Sequence, residues 1–154
     1  NVRTGIVDVL LEEKALDVNK ADKFGQTALV IASSFSKDDI VEKLLKRGAK
    51  VDKADEHGKT ALMHAIASVN KGIACIQTLF DHGATLDKAD EAGHTALMKA
   101  VICNNVVAVK LLINLGADVN KVTNRGNTPL MVAESNNRKA IAKTLRDHSA
   151  RTSR

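Results

Sequence analysis

The chain has 154 residues, a formal net charge of +5 and only 2 % aromatic residues, with three Phe and no Trp or Tyr. That length suits one domain with an aliphatic, Ala-rich core; no apolar run reaches a membrane span and no signal-peptide pattern opens the chain. Two Cys without paired spacing argue against a disulfide scaffold or zinc site and point to a reducing, intracellular compartment. The positive charge favours an acidic partner, but no basic cluster is interleaved with aromatics, so nucleic acid is poorly supported.

In chain order, the first predicted element is a helix with an apolar stripe of Ile6, Val7, Leu10 and Leu11. Nothing precedes it that could form its partner helix, and the chain starts without Met, so it reads as a fragment of a longer protein. Asp22-Lys23-Phe24-Gly25 is a turn sequence in which Gly25 can take a positive φ. Thr27 then opens a short helix, its hydroxyl able to accept from an orphan N–H. Ser36, followed by Asp38 and Asp39, signals the start of a second helix, with carboxylates at the positive end of its dipole. Ile40, Val41, Leu44 and Leu45 form its apolar stripe, and Gly48 follows Lys46 and Arg47 as a stop.

The same cassette then returns. Its second helix carries Cys75, Ile76, Leu79 and Phe80, then Ala108, Val109, Leu112 and Ile113, which places Cys75 and Phe80 in the core. Thr128-Pro129 opens the last first-helix, because Pro suits the first helical position. The final stripe reads Ile141, Ala142, Leu145 and Arg146, with Ser149 where Gly is expected; a charge at that point suits the outer face of a capping unit, where the array ends.

Two phrases alternate through the chain. Gly-x-Thr-(Ala/Pro)-Leu-x-x-Ala starts at Gly25, Gly58, Gly93 and Gly126, with threonines 33, 35 and 33 residues apart. Between them lie Gly48-Ala49-Lys50-Val51-Asp52, Gly83-Ala84-Thr85-Leu86-Asp87 and Gly116-Ala117-Asp118-Val119-Asn120. In these phrases the chain resembles the ankyrin repeat family, whose unit is a β-turn finger and two antiparallel helices. The resemblance implies an all-α fold, an α-solenoid of helix-turn-helix pairs joined by fingers. Its units would be a partial repeat at 1–21, repeats at 22–54, 55–89 and 90–122, and a capping repeat at 123–154. The repeat at 55–89 holds two extra residues between its helices, around Ser68 to Gly72. The family's His after Thr-Pro-Leu is replaced by Val30, Met63, Met98 and Met131, so apolar packing is expected where the family has hydrogen bonds.

The resemblance further implies that finger and inner-helix positions carry partner contacts, here Phe24, Gln26, Phe35, His57, Lys59, His64, His94, Lys99 and Arg125. Phe24 and Phe35 are anchor candidates if exposed, although Phe35 could fold over the end of its own helix pair and Phe24 could pack on the neighbouring finger. Lys59, His64, His94, Lys99 and Arg125 would steer an acidic segment. Lys20, Lys53, Lys88 and Lys121 recur once per repeat, with Asp22, Asp55 and Asp90 two residues on, and read as a self-neutralising surface. His57, His64 and His94 lack metal-ligand spacing, and no strained elbow or Gly-rich phosphate loop assembles a catalytic group, so no metal, cofactor or catalytic site is expected. Asn19 and Asn120 match an Asn that is hydroxylated in some relatives, but a hydrogen bond within the finger suits them better. The expected function is a non-catalytic scaffold or adaptor that binds another protein in its finger and inner-helix groove. The alternatives are a regulatory or targeting segment of a larger enzyme or channel and, more weakly, binding of an anionic partner such as nucleic acid.

Overall fold

A computed structural model describes residues 17–68 and 72–152. The expected helix around Ile6 to Leu11 and residues 69–71, in the stretch that holds the two-residue insertion, lie outside the described residues. The chain divides between Ala84 and Thr85 into two compact units, each built of helix pairs. The first holds α1 (Ala28–Ser34), α2 (Asp38–Lys46), α3 (Ala61–Ala67) and α4 (Ile73–Asp81); the second holds α5 (Ala96–Ile102), α6 (Val106–Asn114), α7 (Pro129–Ser135) and α8 (Lys139–Thr152). In the first unit α1 packs on α2 and α3, while α4 packs on α2 and α3. The second repeats the scheme, α5 on α6 and α7, and α8 on α6 and α7. Among the described residues the only strand-like pairing is an isolated antiparallel bridge between Ala21 and Thr27.

Each short inner helix begins at a threonine in extended backbone. The hydroxyls of Thr27, Thr95 and Thr128 accept from the N–H groups of Val30, Met98 and Met131, whereas Thr60 makes no such bond. Pro129 occupies the first helical position of α7, where a missing N–H removes no helical bond.

Ser36 has a different role from the one expected. It ends α1 instead of starting α2: its φ is +50°, its N–H donates to Ser33 O and the next N–H, of Lys37, donates to Ala32 O. That pair of bonds defines a left-handed C-terminal stop, which turns the chain into the next helix within two residues. Asn104 and Asn137 take the same conformation with the same bonds, so the device recurs. The Ser36 hydroxyl is 2.8 Å from that of Ser68, and α2 starts after Lys37 with no side-chain cap. Asp38 and Asp39 do sit in its first turn.

The core is aliphatic. Leu29, Leu62, Ile66, Ile76 and Leu79 are fully buried in the first unit, and Leu97, Met98, Leu112, Ile141 and Leu145 in the second. Burying each contributes about 1.5–3 kcal/mol. The outer-helix stripes hold as expected with two exceptions, since Ile40 and Phe80 are only half-buried. Cys75 is fully buried, and its thiol donates to Asp38 Oδ1. Burial and that carboxylate push the thiol up to about 12.

The residues standing where the family has His are Val30 at 1 % exposure, Met63 at 2 %, Met98 at 0 % and Met131 at 52 %. The first three pack as apolar side chains. Met131 lies on the last inner helix among the described residues. On the last outer helix, Arg146 is exposed and pairs with Glu134.

Candidate interaction face

Every finger is a turn stapled by one side-chain oxygen. Asp22 Oδ1 accepts from the N–H groups of Phe24 and Gln26, both at 2.9 Å. Asp55 Oδ1 does the same for His57 and Lys59 at 2.9 Å, and Asp90 Oδ1 for Ala92 at 3.0 Å and His94 at 2.8 Å. Thr123 replaces the carboxylate with a hydroxyl that accepts from Arg125 at 3.3 Å and Asn127 at 3.2 Å. A short acceptor two residues before a turn stabilises it by this local geometry.

The aspartates are therefore turned into their own fingers, and among the described residues the expected pairing of Lys53 with Asp55 does not form. Lys53 Nζ instead donates to Asn19 O at 2.8 Å. Asn19 has a structural role: its side chain donates to Gly48 O at 3.2 Å and accepts from Lys50 N–H at 2.7 Å. Within each unit the two fingers join through backbone, with Glu56 N–H donating to Phe24 O in the first and Asn124 N–H to Ala92 O in the second, both at 3.1 Å.

Two candidate cations meet a carboxylate from their own repeat. His64 on α3 brings Nε2 within 2.8 Å of Asp55 Oδ2, with side-chain exposures of 18 % and 3 %. Lys99 on α5 brings Nζ within 2.6 Å of Asp90 Oδ2, with exposures of 18 % and 5 %. Burial alone would raise the carboxyl of Asp55, but the bond from His64 and the N–H groups of Lys59 and His57 outweigh it and hold Asp55 below the ordinary carboxylate range. Asp90 is held down likewise, by Lys99 and the N–H groups of His94 and Ala92 against the effect of burial. Much of the charge that His64 and Lys99 could show to a partner is thus directed inward. His94 Nδ1 lies 3.4 Å from Asp90 Oδ1, an electrostatic contact without hydrogen-bond geometry.

The other candidates reach solvent. Phe24 is 48 % exposed at the first fingertip, with Lys23 Nζ over its ring at 4.9 Å from the centroid, a cation–π contact. Phe35, just past α1, is 63 % exposed. Between them in sequence, Ile31 is 41 % exposed on α1, one helical turn before Phe35. Ile31 was readable as the counterpart of His64 and Lys99, but an apolar residue in a helix gives no sign by itself of facing water. Gln26 and Lys59 are half-exposed; His57 and Arg125 are exposed, with His57 Nε2 3.8 Å from Glu56. Phe24, Gln26, Phe35, His57, Lys59 and His64 fall in the first unit, and His94, Lys99 and Arg125 in the second. Among the described residues no three His, Cys, Asp or Glu side chains gather as a metal site, and no helix is long and apolar enough to cross a membrane.

A family model described as ankyrin repeats (3 copies) matches residues 2–90 and again 67–154. No curated protein matches the chain.

Proposed function

Since the chain belongs to the ankyrin repeat family, whose repeats are generally protein–protein interaction modules and typically non-catalytic, we propose that it binds a partner polypeptide on its finger and inner-helix face. The observation that carries this reading is in one repeat of the first unit. Phe24, Ile31 and Phe35, three of the largest exposed apolar side chains, belong to its finger and inner helix. Exposed aromatics of this kind serve as binding anchors when a partner removes them from water.

The partner is an acidic segment. Lys20 and Lys23 are exposed and Lys59 is half-exposed on the fingers of this unit, while Asp55 is buried and the exposed Asp22 gives one carboxylate oxygen to its own turn. In the second unit His94 and Arg125 would add contacts. The cations steer approach, and the apolar group supplies the affinity that salt does not screen. Both cysteines are free, Cys75 buried and Cys103 exposed, which supports an intracellular setting where thiols stay reduced.

The test is fluorescence anisotropy with a panel of labelled acidic peptides, half of them carrying one aromatic residue. Aromatic members should bind most tightly, and Phe24→Ala with Phe35→Ala should weaken them about thirtyfold, as loss of about 2 kcal/mol implies. An unchanged affinity in the double variant would refute the anchor assignment. Binding of the panel that tracks charge alone, with a steep salt slope, would favour a general anion surface over a peptide site.

A further inference from the structure

We propose that His64 and Lys99 are positioning residues that tie the second and third fingers to their inner helices, and that the first finger, which carries Phe24, is left adjustable. This rests on the finger face being the binding surface, and it concerns how that surface is held.

Asp55 and Asp90 each divide their two carboxylate oxygens between turn and helix. In the second finger Asp55 Oδ1 holds the turn, through His57 and Lys59, while Oδ2 receives His64 from α3. In the third, Asp90 Oδ1 holds Ala92 and His94 while Oδ2 receives Lys99 from α5. One buried carboxylate therefore couples finger to helix, by the charge-assisted kind of bond that is stronger than a neutral one. Both aspartates are almost excluded from water, with side-chain exposures of 3 % and 5 %, so solvent screens these ties little.

The first finger has the same turn but lacks the tie. Asp22 Oδ1 accepts from Phe24 and Gln26 as its counterparts do, yet the matching helix position is Ile31, which cannot donate. Among the described residues Asp22 Oδ2 has no partner, and Asp22 itself is exposed. The first finger keeps its backbone bond to the next one, from Glu56 N–H to Phe24 O, and loses only the bond to its own helix. An anchor on such a finger can shift to meet its partner, while the second and third fingers offer fixed geometry and a lower ordering cost.

The test uses amide hydrogen exchange by NMR on the whole chain and needs no partner, so its failure is separable from failure of the binding assignment. In the wild type the amides of His57 and Lys59, and of Ala92 and His94, should exchange more slowly than those of Phe24 and Gln26. His64→Ile, which copies the first repeat, should speed exchange at His57 and Lys59 on the order of tenfold with α1 and α3 amides unchanged, and His64→Lys should restore protection. The converse variant, Ile31→Lys, replaces an exposed side chain and should slow exchange at Phe24 and Gln26 by a similar factor. The proposal is overturned if Ile31→Lys leaves the first finger unaltered. It is equally overturned if His64→Ile leaves the second finger protected, or if finger and helix amides change together and His64→Lys does not rescue them.

Discussion

Alanine at two glycines of the second unit separates the strain of a left-handed backbone from the crowding between fingers. Gly93 and Gly126 share that backbone, at φ of +81° and +76°. A side chain in this region costs about 1–2 kcal/mol at either position. Their surroundings differ: a Cβ on Gly93 would lie 2.5 Å from the amide nitrogen of Asn124 and 2.6 Å from its Oδ1, whereas one on Gly126 meets nothing within 4 Å. Relief at Gly93 pushes the last finger away and breaks two bonds, Asn124 N–H to Ala92 O at 3.1 Å and Asn124 Nδ2 to Glu91 O at 2.7 Å. At about 1 kcal/mol per bond, Gly93→Ala should lose about 3–4 kcal/mol and Gly126→Ala about 1–2 kcal/mol. Urea unfolding followed by far-UV circular dichroism reads this directly. With a slope of about 2 kcal/mol per molar, the two midpoints should differ by about 1 M. Equal losses at the two sites, or a larger one at Gly126, would show that neighbouring fingers do not constrain each other through this contact.

Further outcomes follow from the same geometry. Leu79→Ala, at a fully buried site, should cost about 2–5 kcal/mol in urea melts, and Phe80→Ala, one residue on but half-buried, should cost less; the reverse order would contradict the burial assigned to this helix. Asp55 and Asp90 are held below the ordinary carboxylate range, so their contribution is complete above about pH 4 and is lost as pH falls through their lowered values. Thermal melts from pH 6 to 2 should show that loss, and Asp55→Asn with Asp90→Asn should be less stable at pH 6 with a flatter acid limb. An acid limb as steep as that of the wild type in the double variant would mean that other carboxylates govern it.

The fold was legible where one side chain has one local task. Thr27 and Pro129 announced helix starts, and the stripes ending in Leu45, Leu79 and Ile113 announced outer helices, because capping and amphipathic spacing act within a few residues. Ser36 misled because its residue type suits a helix start, while the chain reversal needs a left-handed residue there and accepts Ser or Asn for it. Phe80 misled because helical spacing says which face a residue is on and not how far the next element covers it. The fingers misled most. Spacing set Asp55 beside Lys53, but the carboxylate can reach its own turn within four residues and His64 nine residues on, and those bonds decide its orientation. The exposure of Phe24 and Phe35 was an even choice from sequence, since nothing local decides whether an aromatic at a loop folds back.

The ladder Val30, Met63, Met98 and Met131 has a chemical consequence. Three thioethers in equivalent places differ almost completely in access, 2 %, 0 % and 52 %, so a mild oxidant should find Met131 long before the other two. A polar sulfoxide at Met131 is tolerable in water, whereas one at Met63 or Met98 would have to enter a dry interior. Oxygen uptake at Met63 and Met98, read peptide by peptide so that the exposed thiol of Cys103 is not counted, therefore reports the opening of the helix pairs, which gives this chain a built-in mass-spectrometric gauge of its own integrity.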